Sequence, residues 1–427
     1  MIDIQVFREN PDLIKKSHKK RGIPTKEIDE VIRLDKEWRE QQYEVQKLQS
    51  KRNKISSEIA ELKKSGKDVK SKIKEMQKIS DDIKSQEENV KSLLDERDKI
   101  RMIVPNILDD SVPAGKDDSE NVEISTWGKK PTYNFELKGH EEIAINLGML
   151  DMENAAKISG ARFFYLKGDL VLLDMAIQRF AIDHMISRGF TPILPPFMMR
   201  KEPYEGATPM ADFGEVLYKI EGEDLYLIAT SEHPMIARLM NETVSEKDLP
   251  ICCAGVSPCF RKEAGSHGKD TKGIFRTHQF NKVEQIVFCK PEDSEDWFNK
   301  IHENTELIVQ KLGLHYRIVK ICTGDIGTFA SKKHDLEVWM PVQDRYRELG
   351  SCSNIKDYQA NRLNIKFADK DGKKKAVHTL NNTVLPTGRT IVAILENFQQ
   401  KDGSVKIPEA LWPYMNGIKV LKHVAKK

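Results

Sequence analysis

The sequence predicts an α+β body with an antiparallel sheet, preceded by a long antiparallel α-helical coiled-coil hairpin. Three observations carry this reading. Heptads of apolar residues run through the first hundred or so positions, a glycine turn signal interrupts them midway, and short β-branched runs mix with amphipathic helical patterns from residue 117 onward.

Within residues 31–62, positions 31, 38, 45, 52 and 59 are Val, Trp, Val, Arg and Ile, and positions 34, 41, 48, 55 and 62 are Leu, Gln, Leu, Ile and Leu. That repeat is the seam of one long helix. A second series follows at Val69, Met76, Ile83, Val90, Arg97 and Val104, with Ile79, Leu93 and Ile100 at the other seam position. The two series are out of register and meet at Lys63-Lys64-Ser65-Gly66-Lys67-Asp68, so the chain is expected to reverse near Gly66. Thirty-two residues at about 1.5 Å each make an arm roughly 50 Å long. Pro105 and the segment DDSVPAGK (109–116) end the arm, dividing the chain into an N-terminal domain, 1–110, and a body, 117–427.

The body is read from helical patterns at 170–188 and 390–399 and from strand-like runs at 224–229, 283–288 and 363–367. Its 39% share of hydrophobic residues over a 427-residue chain is enough for a sizeable core. No GxxxxGK[ST] and no strand-GxGxxG-helix pattern occurs, so a nucleotide would not be held by a Walker or Rossmann loop.

Lys and Arg number 69 against 66 Asp and Glu, so affinity for nucleic acid must come from local patches. The arm supplies one, with eleven Lys/Arg against five Asp/Glu over residues 44–78. Such a stretch suits a solvated coiled-coil surface and a phosphate-tracking rod alike. The amino terminus has no basic n-region followed by an apolar core, and no run of eighteen apolar residues occurs, so a cytoplasmic protein without a membrane span is expected. Cys252, Cys253, Cys259, Cys289, Cys322 and Cys352 form no CxxC pair and have no histidine at zinc-finger spacing, so reduced thiols and no zinc site are expected.

The segment FRKEAGSHGKDTKGIFRTHQFNKVEQIVF (260–288) reads as two strand-like runs around a loop, with many ionisable groups. Strand alternation puts Arg261 and Glu263 on one face, and Arg276, His278, Phe280, Lys282 and Glu284 on one face of the return strand. That face reads as a set of cross-strand ion pairs or as a ligand floor. Arginines can clamp phosphate, phenylalanine can stack on a base, and the carboxylates can accept from an amine. Gly265, Gly268 and Gly273 would let the connecting loop approach a ligand closely.

These residues resemble motif 2 of the class II aminoacyl-tRNA synthetases, specifically the seryl-tRNA synthetases. RGFTPILPPF (188–197) resembles motif 1, LIATSEHP (227–234) the serine-binding TxE element, RELGSCSN (347–354) the ATP- and metal-binding segment, and HTLNNTVLPTGRTIVAILENFQ (378–399) motif 3. With the N-terminal hairpin, the resemblance spans essentially the whole chain in family order. The chain departs from the usual pattern at Ser231, where bacterial members have alanine, and at Pro386, where a small residue is common.

The resemblance implies ATP-dependent activation of L-serine followed by transfer to tRNA(Ser), with tRNA(Sec) an additional acceptor wherever that tRNA exists. It implies catalytic roles for Arg261, Arg276, Arg389 and Glu348, with Arg261 on the α-phosphate and serine carboxylate and Arg276 and Arg389 at the γ-phosphate. Phe280 and Arg389 would sandwich the adenine, and Glu263 and Thr277 would meet its edge. Lys262, Leu349, Gly350 and Ser351 complete the ATP set, and Glu348 and Ser351 would hold Mg²⁺, a hard cation that prefers oxygen. Glu284 and Thr383 would meet the serine hydroxyl, with Thr230, Ser231, Glu232 and Asn381 completing the serine set. Lys51, Arg52, Lys54, Lys63, Lys64, Lys67 and Lys70 on the arm would bind tRNA by shape, and motif 1 would form a homodimer interface. Two rivals are an amino acid:carrier-protein ligase, which would lack the arm, and a catalytically inert homologue acting as a binding protein, which would not need intact Arg261, Glu284, Glu348 and Arg389.

Overall fold

The structure, a computed structural model, describes residues 1–209, 215–263 and 273–423. The chain divides into two compact units, Met1–Ile107 and Leu108–Lys427.

In the first unit, two short helices, α1 (Ile4–Glu9) and α2 (Pro11–Arg21), precede the long helices α3 (Lys26–Lys64) and α4 (Lys70–Ile103). Helices α3 and α4 pair as a hairpin. The reversal falls where the heptads change register. Gly66 adopts the left-handed φ of 68°, and the Lys67 amide bonds back to the Leu62 carbonyl at 3.0 Å, closing α3. Along the seam Val31, Leu34, Val45 and Val90 are buried while Trp38, Leu48, Leu93 and Ile100 are half-buried, and toward the tip Ile55, Ile59, Ile79 and Ile83 form one cluster. At the other end the seam is ionic. Asp35, 2% exposed, accepts from Arg8 Nε and Nη2 and from Arg97 Nη1, each at 2.8 Å, and from Arg39 Nε at 3.1 Å. Burial pushes the Asp35 carboxyl up, but Arg8 and Arg97 outweigh it and hold the group below its ordinary range. The heptad pattern puts Arg97 at an apolar position; its cross-helix partner explains why a charge stands there.

The second unit carries an eight-stranded sheet of β1 (Val122–Trp127), β2 (Thr191–Ile193), β3 (Ile251–Phe260), β4 (Gln279–Cys289), β5 (Tyr316–Lys320), β6 (Lys332–Met340), β7 (Arg345–Lys356) and β8 (His378–Pro386). Their order is β1-β5-β6-β7-β8-β4-β3-β2. Every pair is antiparallel except β2 with β3 at one edge, which is parallel. Helices α5 (Asp169–Ser187), α6 (Ser294–Lys311) and α7 (Thr387–Asn397) contribute Leu173, Ile308 and Ile391 to the main core. Alternation sorts β4. Val283, Val287 and Cys289 enter that core, while Ile286 and Phe288 join a second cluster with Met235 and Phe367. Phe280, Lys282 and Glu284 share the face of Ile286.

Two expected strands differ. Of 224–229 only Tyr226–Leu227 is extended, in a two-stranded ribbon with Met198–Met199. The 363–367 run straddles the end of a helix, Tyr358–Leu363, and a short strand, Lys366–Ala368, in a separate three-stranded sheet. An apolar run specifies burial but not the sheet that buries it, and Asn364 in the left-handed region (φ 52°) breaks this one in two. All six cysteines are free, and no described helix is long and apolar enough to cross a membrane.

Candidate active site

The β3–β4 ladder pairs Phe260 with Gln279, and the Arg261 amide adds one more bond to the His278 carbonyl at 2.9 Å. Beyond that point both segments leave the extended conformation, with Glu263 at φ 48°. The alternation expected across 261–263 and 276–284 therefore holds only from Phe280 onward. His278 is a correction: its Nδ1 bonds the Arg261 carbonyl at 2.8 Å and its ring packs on Phe163 and Tyr218, away from the floor. Gly265 and Gly268 lie outside the described residues. Gly273 is described, with φ 66°, and a Cβ there would collide with the His140 ring.

A cavity of about 200 Å³ gathers Arg261, Arg276 and Arg389, together with Glu263, Thr277 and Phe280. Lys282, Glu348, Leu349 and Thr383 close it. Each guanidinium is held in place. Arg261 Nε donates to the Ala229 carbonyl at 3.1 Å, and its guanidinium lies 5.3 Å from the Phe280 ring centre. Arg276 Nη1 reaches Glu263 Oε2 at 3.3 Å. Arg389, in the first turn of α7, donates from Nη1 to the Glu348 carbonyl at 2.8 Å and lies over the Phe275 ring at 4.9 Å. Sequence reasoning missed Phe275, although it directly precedes Arg276.

On the floor, Thr383 stands opposite Glu284 across the β8–β4 ladder and donates from Oγ1 to Glu284 Oε2 at 3.1 Å. Lys282 forms a buried ion pair with the same oxygen. Alternation placed Lys282 on this face but could not show that it partners Glu284.

Glu232, Thr230 and Asn381 are not among the residues that line this cavity, although Glu232 interacts with Glu284 and Lys282 of the floor. The Glu232 amide donates to Thr230 Oγ1 at 3.2 Å, and Glu232 Oε1 accepts from Gln359 Nε2 at 3.0 Å. Gln359 is held in turn by the Thr379 hydroxyl at 2.7 Å. Burial first, and the Glu284 charge second, push the Glu232 carboxyl up to about 7, while Lys282, Gln359 and Asn381 act against them. Ser231 is fully buried and its hydroxyl donates to the Gly255 carbonyl at 3.4 Å, so the side chain is directed into the sheet. Lys262 is also turned aside, its amide bonded to the Val216 carbonyl and its ammonium 5.7 Å from the Tyr218 ring.

Glu348 and Ser351 are three apart on β7, a spacing that puts residues on opposite faces of a regular strand. The β6–β7 register resolves this. Gly350 pairs with Leu336 but Glu348 pairs with Glu337, leaving Leu349 as a bulged extra residue and returning Glu348 and Ser351 to one face. A Cβ on Gly350 would press on the Thr383 carbonyl at 3.1 Å, so glycine lets β7 and β8 approach here. Burial pushes the Glu348 carboxyl up, yet Arg389, Lys333 and Arg261 prevail and hold it down to about 2. A wider cavity of about 840 Å³ shares Arg276, Glu348 and Arg389 with the first and adds Lys333, Asp335 and Glu337.

Residues 1–108 match the family model of the seryl-tRNA synthetase N-terminal domain, and residues 217–398 match the class II tRNA synthetase core domain (G, H, P, S and T). A serine–tRNA ligase of Methanocella arvoryzae is 53% identical over 425 residues, spanning 99% of this chain and 100% of the relative. The chain belongs to the seryl-tRNA synthetases. The synthetase is also similar to the solved seryl-tRNA synthetase of Pyrococcus horikoshii complexed with ATP, with a TM-score of 0.93 and 46% identity over 100% of both chains. A cytoplasmic serine–tRNA ligase from Naegleria fowleri in complex with AMP gives a TM-score of 0.88 at 38% identity, covering 100% of this chain and 99% of that one. Membership identifies the synthetase as a serine–tRNA ligase with a class II core, and neither the carrier-protein ligase nor the inert homologue is favoured.

Proposed function

We propose that the cavity between Arg261, Arg276 and Arg389 is where serine and ATP react. The observation that carries this reading is that three arginines line one cavity together with Thr383, whose hydroxyl bonds Glu284. The reacting groups, a carboxylate and a phosphate, are both anionic, and the arginines offset their repulsion and align them.

Serine's ammonium would meet Glu232 and Thr230, its hydroxyl Glu284 and Thr383, and its carboxylate Arg261, with Ser231 and Asn381 supporting the pocket. ATP would place its phosphates along Arg261, Arg276 and Arg389, with Lys262 nearby. Its adenine would lie on Phe280 with Arg389 on the opposite face and Glu263 and Thr277 at its edge. A serine carboxylate oxygen bonds to the α-phosphorus as the bond to the bridging oxygen breaks and pyrophosphate leaves. The terminal ribose hydroxyl of tRNA then attacks the seryl carbonyl, and AMP departs. No side chain need act as nucleophile.

Glu348 and Ser351 fit Mg²⁺. Both offer hard oxygen donors on one strand face, and two protein ligands suit a cation that keeps several waters. No group of three His, Cys, Asp or Glu able to chelate a metal occurs among the described residues, so phosphate and water would complete the shell. When bound, the cation supplies neutralisation of charge along the triphosphate.

The N-terminal domain, 1–110, would bind tRNA(Ser), and tRNA(Sec) where present, while 117–427 carries the chemistry. Among the described residues, Lys54, Lys63, Lys64, Lys67 and Lys70 form no ion pair, which leaves them open to phosphate; Lys51 pairs with Glu75 at 3.6 Å, and Arg52 is half-buried. Leu194, 74% exposed, with Phe197 and Met198 beside it, leaves the motif 1 segment apolar in the single chain and supports a homodimer. A cytoplasmic location completes this reading.

The test is serine-dependent exchange of pyrophosphate into ATP with Mg²⁺, run beside threonine, alanine and glycine, followed by charging of tRNA(Ser). Exchange with serine alone is expected; none would overturn the reading. Two further results are expected. The value of kcat/KM for serine should fall about tenfold per pH unit below about 7, because protonated Glu232 is neutral and cannot pair with an ammonium group. A profile flat down to pH 5.5 would remove Glu232 from that role. Replacing Lys63, Lys64 and Lys67 with alanine should preserve exchange but weaken tRNA binding and flatten its salt dependence by about one unit of slope per lost phosphate contact. Unchanged charging kinetics would sink the arm assignment.

A further inference from the structure

Asp335 lies within β6, directly opposite Ser351 of β7. It is only 6% exposed, yet it lines the wider cavity beside Glu348 and Lys333. Lys333 Nζ stands 3.6 Å from its Oδ2. Its other oxygen, Oδ1, is buried and has no hydrogen-bond partner among the described residues. The neighbouring acids are engaged differently. Glu337 Oε2 accepts from Arg317 at 2.6 Å, and Asp325 Oδ2 accepts from Asn121 at 2.9 Å. Asp335 thus presents a buried carboxylate oxygen that lacks its complement, and such an oxygen calls for a donor or a cation.

We propose that Asp335 is a positioning residue of the divalent-cation site, acting through its unpartnered Oδ1. With Oδ1 it accepts from a water in the cation's hydration shell. Contact through water accords with a Mg²⁺ that gives up its waters reluctantly, and with the lack of a three-acid chelate among the described residues. The bulge at Leu349 makes this possible, since it puts Glu348 on the face that Ser351 shares with Asp335. The proposal rests on the reading that Glu348 and Ser351 hold the cation.

The test uses Mn²⁺ as the probe, titrated into full-length protein saturated with α,β-methylene-ATP, with free Mn²⁺ read by electron paramagnetic resonance. Asp335→Asn should raise the Mn²⁺ dissociation constant about tenfold or more, the size of effect seen when groups that orient metal ligands are removed. Serine affinity, measured calorimetrically without nucleotide, should stay within about twofold of wild type, which a general loosening of the sheet would not allow. Glu348→Gln run in parallel separates the two levels. Weakened Mn²⁺ binding in Glu348→Gln with wild-type binding in Asp335→Asn overturns the role of Asp335 alone. Wild-type binding in Glu348→Gln overturns the cation reading and this inference with it. Should Asp335→Asn fail a thermal-melt check, Asp335→Ser removes the same charge in a smaller side chain and is read against the same outcomes.

Discussion

Arg261→Ala should lower serine-dependent pyrophosphate exchange by about 10² to 10³-fold, the effect of removing one preorganised group from the site of charge development. The expectation rests on where Arg261 is held. Its Nε is tied to the Ala229 carbonyl, its plane lies near Phe280, and the remaining guanidinium donors face the cavity between the two proposed anions. Without it the serine carboxylate and α-phosphate would approach each other with less charge between them, and both KM and kcat should suffer. Arg261→Lys should recover little of the loss, because an ammonium group cannot keep the bond to Ala229 and also fork across two oxygens. The folded state loses one side-chain hydrogen bond to the Ala229 carbonyl and a contact with Phe280, so the thermal midpoint should move by a few degrees at most. Exchange within tenfold of wild type would refute the assignment.

The second large effect concerns selectivity. Thr383→Val should cost serine about 10 to 100-fold in kcat/KM while changing alanine by less than about threefold, narrowing the preference between them. Valine keeps the shape and removes the one hydroxyl that fixes Glu284 Oε2 from across the ladder. A site that hydrogen-bonds a substrate hydroxyl rejects the analogue without it because its own polar groups are left bare. Replacing Glu284 would test the same idea poorly, since it strands the buried Lys282 ammonium and is expected to destabilise the fold by about 3–5 kcal/mol. Competing exchange assays with serine and alanine read the Thr383 effect directly, and an unchanged ratio would move the hydroxyl pocket elsewhere.

What the sequence could convey follows the distance over which each feature is determined. The hairpin was legible because a heptad and a turn glycine are local, and both long helices and the reversal at Gly66 lie where the pattern puts them. The partnership of Asp35 and Arg97, 62 residues apart, was not. In the body, helices α5 and α7 follow their amphipathic patterns, whereas the 224–229 and 363–367 runs went to small sheets that alternation cannot distinguish from the large one. The three arginines that line the cavity were named from their motifs. Their geometry was misjudged where β3 and β4 end, which took His278 off the floor. Alternation put Lys282 on the floor but could not show its pairing with Glu284 on the same strand, whereas Gln359 and Asp335 escaped because each meets its partners only across elements. Glu348 and Ser351 did hold a clue: a shared role at a spacing of three requires a bulge between them.

The ionic seam of the hairpin has a consequence for reach. Apolar knobs repeat every seven residues and are nearly interchangeable, so α3 and α4 could slide by a heptad and still pack much as before. The Asp35 site permits no such slide, because a slip of seven residues would carry Arg97 about 10 Å away and leave the carboxylate dry and short of a partner. Asp35 thus acts as the zero mark of a ruler. The basic end of α3 at Lys64, twenty-nine residues beyond Asp35, is delivered about 44 Å from that mark and nowhere else. Matched insertions of seven residues in the two helices would lengthen the gauge by one graduation, whereas an insertion in only one would leave the two edges misaligned.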